Sequence, residues 1–344
     1  MLCFPREDKM KDHSLSAMIG EDRLFGGKAD ILEQTGEKTV FHLDCRDGDG
    51  TMVIYRVFPG IELIFNDFHA FHCAEAQTGG RDDILEINHC RSGRFECRLS
   101  GNFYGYLGEG DLSANIWSVQ RISSGFPLGY YQGAEVFIRI ETAQAALSGI
   151  WGGIGIDLRA LKERIIGSRP CFMMRAAPRI GDIFDRLYDV EKNIRSGYFK
   201  VKILELLLFL SIAPLETNGE DRPYFPRAQV ESVKRIRAEL MEKLDQHITL
   251  ADLAEKYGLS TTALKTCFKA IYGKPVYAWH REYRLYAAAQ ALRKTDRSIA
   301  DIADSVGYEN ASKFSEAFRR QMGCRPLEYR RFPLPFAGFS GAAE

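Results

Sequence analysis

The sequence predicts a multidomain α+β chain: an N-terminal β-rich region followed by helices, then a C-terminal all-α domain with two helix-turn-helix units. Three observations carry this prediction. Short segments rich in Val, Ile, Phe and Tyr, separated by Gly, Asp and Asn turns, fill the chain from about Lys28 to Ile140. Pro214 to Pro226, PLETNGEDRPYFP, is polar, proline-bearing and without periodicity, so it reads as a connection between domains. One pattern then occurs twice between Ile248 and Arg331, with a helix-like segment between the copies.

In the β-rich region the stretches TMVIYRVFPGIELIFN, DILEINHCRSGRFECRLSG, NFYGYLGEGDL and EVFIRIET read as strands at the close spacing of a barrel or sandwich. Asp47-Gly48-Asp49-Gly50 and Gly108-Glu109-Gly110-Asp111 read as turns between them. Phe58, Phe65, Trp117, Phe126, Tyr130 and Tyr131 could line a ligand cavity, although such residues more often form core.

Helical spacing begins at Asp157 to Ile165 and returns from Ile180 to Ala213, with a break expected near Ser196-Gly197. Val201, Leu204, Leu208 and Ile212 share one face of the second segment, with Leu207 and Leu210 beside it. So broad a stripe must be covered by the rest of the chain, by another subunit, or by both. After the connecting stretch, Val230 to Gln246 opens the C-terminal domain with Val233, Ile236, Leu240 and Leu244 at helical spacing.

The two copies are ITLADLAEKYGLSTTALKTCFKAIYGKPVYAW and RSIADIADSVGYENASKFSEAFRRQMGCRPLEYR. Each opens with a capping hydroxyl, Thr249 or Ser298, and breaks at a glycine, Gly258 or Gly307. A second helix then starts at Ser260 or Asn310 and buries Leu264 with Phe268, or Phe314 with Phe318. Both copies end on a glycine followed by a proline, Gly273-Lys274-Pro275 and Gly323-Cys324-Arg325-Pro326, and proline favours the first turn of a new helix. Val276 to Arg293 between them is a continuous helical pattern, with Trp279, Tyr283, Ala287, Ala288 and Leu292 expected on its buried side.

On these residues the C-terminal segment of about 105 residues resembles the DNA-binding domain of AraC-type (AraC/XylS) bacterial transcription regulators. The run SIADIADSVGYENASKFSEAFRRQMGCRPLEYRR is similar to the family signature. The resemblance implies that each second helix enters one of two successive major grooves on one face of double-stranded DNA. Carried over by alignment, the reading positions are Thr262, Lys265, Thr266 and Lys269 in the first unit, and Ala311, Ser312, Lys313 and Glu316 in the second. Thr261, Arg319 and Arg320 complete the expected DNA-binding set. Relatives often carry a basic residue where this chain has Glu316; a carboxylate cannot contact guanine O6 or N7 but can accept from cytosine N4.

The resemblance further implies a cupin-like N-terminal domain that responds to a small-molecule effector, a homodimer formed through the helices after it, and RNA polymerase as a partner if the chain activates. The expected division is 1–27 an N-terminal arm, 28–178 a β-rich ligand-sensing domain, 179–213 a helical region for dimerisation or core packing, 214–227 a linker, 228–332 the DNA-binding domain and 333–344 a tail. Charge agrees with it. The whole chain is formally neutral, but Pro226 to Phe332 holds 20 Lys and Arg against 13 Asp and Glu, a net of +7, which leaves −7 elsewhere.

Other function classes find little support. A metal-dependent cupin enzyme is the sharper alternative for the β-rich region, because His42, His69, His72 and His89 lie in it. Cupin metal sites place two histidines two residues apart; His69 and His72 are three apart and would face opposite sides of a strand. Satisfied or surface histidines are therefore expected, with no metal and no cofactor. A helical protein-interaction module, a further alternative, does not account for the duplicated units.

No nucleophile with its base, paired-carboxylate motif or phosphate-binding loop occurs, so no enzyme is expected; GIWGGIG, residues 149–155, reads as a loop. The eight cysteines have no CxxC spacing and read as reduced, mostly buried thiols. Neither the N-terminus, MLCFPREDKMKDHS, nor the apolar run from Ile203 to Ala213, far short of the roughly 20 residues of a membrane span, suggests export or a membrane. A cytoplasmic protein is expected.

Overall fold

The computed structural model describes residues 29–72, 83–99, 102–117, 124–150, 155–167, 169, 171–213 and 224–331. The chain divides into two units, the second made of Asn102–Tyr106 together with everything from Tyr224 onward, the first of the remainder. The expected arm, the tail and the centre of GIWGGIG lie outside the described residues.

The first unit is built on an eight-stranded antiparallel sheet. Its strands are β1 (Ala29–Gln34), β2 (Lys38–Cys45), β3 (Gly48–Phe58), β4 (Ile61–His69), β5 (Ile84–Gly93), β8 (Leu112–Ile116), β10 (Tyr131–Arg139) and β11 (Phe172–Met174). Their order is β1-β2-β3-β4-β10-β5-β8-β11, so β10 comes between β4 and β5. The short strands β6 (Phe95–Leu99) and β9 (Ser124–Gly125) pair separately, and β7 spans Phe103–Leu107.

Side chains alternate across this sheet because successive Cβ atoms point to opposite faces. Leu63, Leu85, Ile87, Ala134, Val136 and Ile138 face four helices: α1 (Ile140–Ser148), α2 (Leu158–Ile165), α3 (Pro178–Tyr188) and α4 (Arg195–Ile212). Phe184, Ile203, Leu206 and Leu210 answer from the helices, and each such buried side chain contributes about 1.5–3 kcal/mol. Intervening positions carry a polar row, in which Asn88 donates to Glu135 at 2.9 Å and accepts from the Tyr131 hydroxyl at 2.6 Å.

Several local expectations give way here. The end of EVFIRIET belongs to α1, because the chain leaves the sheet at Arg139. Gly48-Asp49-Gly50 lies inside β3; Gly50 stands opposite Phe68, whose ring occupies the space a Cβ would need. The break between α3 and α4 falls at residues 189–194, and Ser196-Gly197 sits in the first turn of α4. Helix breakers are tolerated in a first turn because its N–H groups have no intrahelical acceptor to lose.

The stripe named from the sequence lies on the outer side of α4, not against the sheet. Phe199, Ile203, Leu206, Leu207 and Leu210 are buried, while Val201, Leu208 and Ile212 are 62%, 43% and 72% exposed.

The second unit runs β12 (Tyr224–Pro226), α5 (Arg227–Glu242), α6 (Leu250–Lys256), α7 (Thr261–Tyr272), α8 (Val276–Lys294), α9 (Ile299–Ser305), α10 (Ala311–Met322) and α11 (Pro326–Arg331). The end of the expected linker is thus a strand: Tyr224, Phe225 and Pro226 pair with Gly105, Tyr104 and Phe103. Helix α5 stops at Glu242, and Leu244 packs beyond its end. Glu239 anchors α5 to the next turn by accepting from Lys243 at 2.8 Å, Lys256 at 2.7 Å and the Tyr257 hydroxyl at 2.9 Å.

Among the described residues no group of three or more His, Cys, Asp or Glu could hold a metal ion, and no helix is long and apolar enough to cross a membrane. Cys90, Cys97, Cys171 and Cys267 are buried, and Cys45 and Cys324 are half-buried. Three histidines have acidic neighbours: His42 with Asp44 at 3.4 Å, His69 with Asp67 at 3.2 Å and His72 with Asp47 at 2.6 Å. His89 is neither satisfied nor on the surface. It is 2% exposed, stacks flat on Phe184 at 4.2 Å, and neither ring nitrogen has a hydrogen-bond partner among the described residues.

His89 and Glu239 each make stability depend on pH. Burial lowers the His89 pKa to about 4, which outweighs the opposing pull of Asp185 and Asp111. The unfolded chain therefore takes up that proton first, and stability falls as pH drops from about 6.5 toward 4. His89→Phe should remove this component, so its stability gain in urea titrations is larger at pH 5 than at pH 8.

The hydrogen bonds from Lys243, Lys256 and Tyr257 hold the Glu239 carboxyl down to about 2. Its contribution is present above the ordinary carboxylate range and is lost as pH falls through about 2. Glu239→Gln should cost on the order of 1–3 kcal/mol at pH 7 by the same titration.

Candidate nucleic-acid interface

Local hydrogen bonds cap both helices of each turn-helix unit. Thr249 caps α6 in a capping box with Asp252, and the Ser298 hydroxyl accepts from the Asp301 N–H to start α9. The second helices begin the same way. Ser260 accepts from the Ala263 N–H, and the Asn310 side chain accepts from both Ser312 and Lys313.

The turns need glycine for two different reasons. Gly258 and Gly307 have φ of +68° and +73°, a conformation that a Cβ disfavours. At Gly258 there is open space around the missing Cβ; at Gly307 a Cβ would collide with the Arg284 guanidinium and the Leu244 carbonyl. Arg284 itself donates to the Val306 carbonyl and lies 5.1 Å over the Tyr308 ring, pinning the second turn to α8. Nothing local marks Arg284, since its partners lie 22 residues or more downstream.

Behind the turns, each second helix buries one face. In α7 these are Leu264, Cys267, Phe268, Ile271 and Tyr272, with Trp279 of α8 edge-on to Phe268 at 5.7 Å. In α10 they are Phe314, Phe318 and Met322, packed with Leu285, Ala288, Ala289 and Leu292 of α8.

All eleven expected contact residues lie on the outward side. Thr261, Thr262, Lys265, Thr266 and Lys269 are exposed on α7, and Ala311, Ser312, Lys313, Glu316, Arg319 and Arg320 are exposed on α10. Residues 262, 265, 266 and 269 follow the i, i+3, i+4, i+7 spacing of one helical face. Lys265, Lys269, Lys313 and Arg319 form no ion pair among the described residues, so their charges are available to an external anion. Glu316 is engaged by Arg320 of its own helix at 2.9 Å; both side chains are exposed, so this pair holds weakly.

α8 expectations are met at Trp279, Ala288 and Leu292, while Tyr283 and Ala287 are only half-buried. Val276, His280, Leu285 and Ala289 are buried in addition.

Comparison with known proteins places this geometry. Residues 253–331 match the family model described as a helix-turn-helix domain. The HTH-type transcriptional regulator ExsA of Pseudomonas aeruginosa is 37% identical over 82 residues, 24% of this chain and 30% of that protein. A putative AraC-like transcription regulator of Streptomyces lividans is 39% identical over 85 residues, 25% of this chain and 28% of that one. The virulence regulon transcriptional activator VirF of Yersinia enterocolitica is 33% identical over 105 residues, 30% of this chain and 39% of that one.

The chain thus spans well under half the length of these relatives. Among solved structures, the C-terminal domain of the response regulator yesN from Fusobacterium nucleatum aligns with TM-score 0.28 and 28% identity, over 29% of this chain and 98% of that one. ToxT from Vibrio cholerae aligns with TM-score 0.31 and 13% identity, over 80% and 98%. From its sequence relatives and its paired, capped units, the C-terminal segment of this chain is a helix-turn-helix domain of the AraC type.

Proposed function

We propose that this chain is a sequence-specific DNA-binding transcriptional regulator without catalytic chemistry, controlled by a small molecule bound in the first unit and acting in the cytoplasm as a homodimer. One observation carries the DNA-binding part: two turn-helix units of the same construction present exposed polar faces and share a single helix, α8. Free Lys and Arg near the helix ends position the domain on phosphates, and the outward side chains of α7 and α10 read base edges in two major grooves. If the chain activates transcription, RNA polymerase is the further partner.

The proposed dimer surface is the outer side of α4. Val201, Leu208 and Ile212 are large, apolar and exposed, with Leu204 half-buried among them. Apolar contacts of this kind form the centre of obligate interfaces. Effector binding then acts through whatever difference in affinity the ligand has for two dimer arrangements.

A selection from fragmented genomic DNA tests the whole proposal. Enriched intergenic sites with two half-sites about one helical turn apart are expected; indiscriminate recovery, or none at any salt, overturns it. For single residues, Lys265→Ala should cost on the order of 1–3 kcal/mol and relax specificity at one base position. Equal weakening on every sequence, with a shallower salt dependence, would assign Lys265 to a phosphate instead. In sedimentation, Leu208→Asp with Ile212→Asp should convert a dimer to a monomer that keeps its fold; an unchanged dimer would move the interface elsewhere.

A further inference from the structure

The first unit contains a cavity of about 440 Å³ between β3, β4, β5 and β10 on one side and α3 and α4 on the other. That volume is in the range of small-molecule sites. Tyr55, Phe65, Tyr188 and Phe199 form its apolar wall, meeting mostly edge to face with ring centres 5.0 to 6.0 Å apart. Two guanidinium groups, Arg91 and Arg195, also line it.

Arg91 is there because of a defect in the sheet. Cys90 stands opposite Gly133 and Ser92 opposite Gln132, so Arg91 is an extra residue of β5 with no partner on β10. Such bulges turn a side chain away from regular alternation and recur beside functional sites. Arg91 lies 4.0 Å over the Tyr188 ring, and it forms no ion pair among the described residues.

Arg195 is held differently. It donates to the Val190 carbonyl at 2.9 Å and to the Tyr55 hydroxyl at 3.3 Å, and likewise meets no carboxylate among the described residues. The Tyr188 hydroxyl oxygen is buried without a hydrogen-bond partner there, which leaves a third donor unused.

From this arrangement we infer that the cavity binds a small organic monocarboxylate with a flat apolar body. Arginine forks match carboxylate oxygens in geometry as well as charge. The single carboxylate of the lining, Asp67, beside two guanidinium groups leaves one net positive charge, which suits a monoanion better than a dianion. Aromatic walls favour a flat ring, which they meet edge to face or offset-stacked. A bound carboxylate would join the sheet, through Arg91, to Arg195 in the first turn of α4, the helix whose far side carries Val201, Leu208 and Ile212.

This inference rests on the first unit being ligand-responsive, and calorimetry on the full chain separates the two. The probes are benzoate, 3-phenylpropionate, octanoate, palmitate, benzamide and inorganic phosphate. We expect one-to-one binding of benzoate or 3-phenylpropionate, none of benzamide or phosphate, and a loss of about tenfold or more in both Arg91→Gln and Arg195→Gln.

The Arg91 side chain donates no hydrogen bond within the described residues, so Arg91→Gln should lose only its contact with the Tyr188 ring and change the melting temperature little, even if Arg195→Gln lowers it more. Binding of the fatty acids alone would overturn the flat-bodied assignment. No binding of any acid, equal binding of benzamide, or full affinity in Arg91→Gln would overturn the site. DNA binding by the same preparations reports on the regulator proposal independently: DNA bound without any acid bound sinks only the cavity, and the reverse sinks only the regulator.

Discussion

A single helix must be buried by two different partners, and the second unit depends on how α8 meets that demand. Its first half buries Val276, Trp279 and His280 near the α7 core. Its second half buries Leu285, Ala288, Ala289 and Leu292 in the α9–α10 core. Val276 and Leu285 are nine residues apart, which at about 100° per residue is roughly half a turn around the axis. The two stripes therefore lie on opposite sides of one rigid rod, and the turn-helix units take their places from them.

That arrangement explains what could and could not be read in the sequence. A search for one apolar stripe finds Trp279, Ala288 and Leu292 but adds Tyr283 and Ala287, which are only half-buried, and overlooks His280 and Leu285. Repetition made the units themselves legible: caps at Thr249, Ser260, Ser298 and Asn310 act within three residues, so sequence spacing and physical contact coincide. The exposed faces of α7 and α10 were legible for the same reason, as the complement of the Leu264/Phe268 and Phe314/Phe318 pairs.

Features made by distant partners were not. The apolar run in α4 is hydrophobic around most of its circumference, so composition alone could not say whether Ile203 or Leu208 faces the sheet. Ser196-Gly197 suggests a break by residue type, but the same residues at a helix start cost little. Arg91 has no signature at all in the sequence, because its place depends on a bulge between strands some forty residues apart. Tyr224–Pro226 is too short for alternation to mark it as a strand.

The five residues Asn102–Tyr106 give the chain a discontinuous boundary. Their backbone supplies the partner for β12, Asn102 accepts from the Arg227 N–H at 2.8 Å, and Tyr104 lies 5.4 Å beneath the Lys234 ammonium. The C-terminal unit is therefore not a segment that one cut can release. A fragment beginning at Tyr224 keeps every helix yet leaves β12 with a bare edge and Phe225 without its neighbour Tyr106. Any recombination of this domain onto another chain has to carry that short hairpin edge with it, or replace the surface it covers.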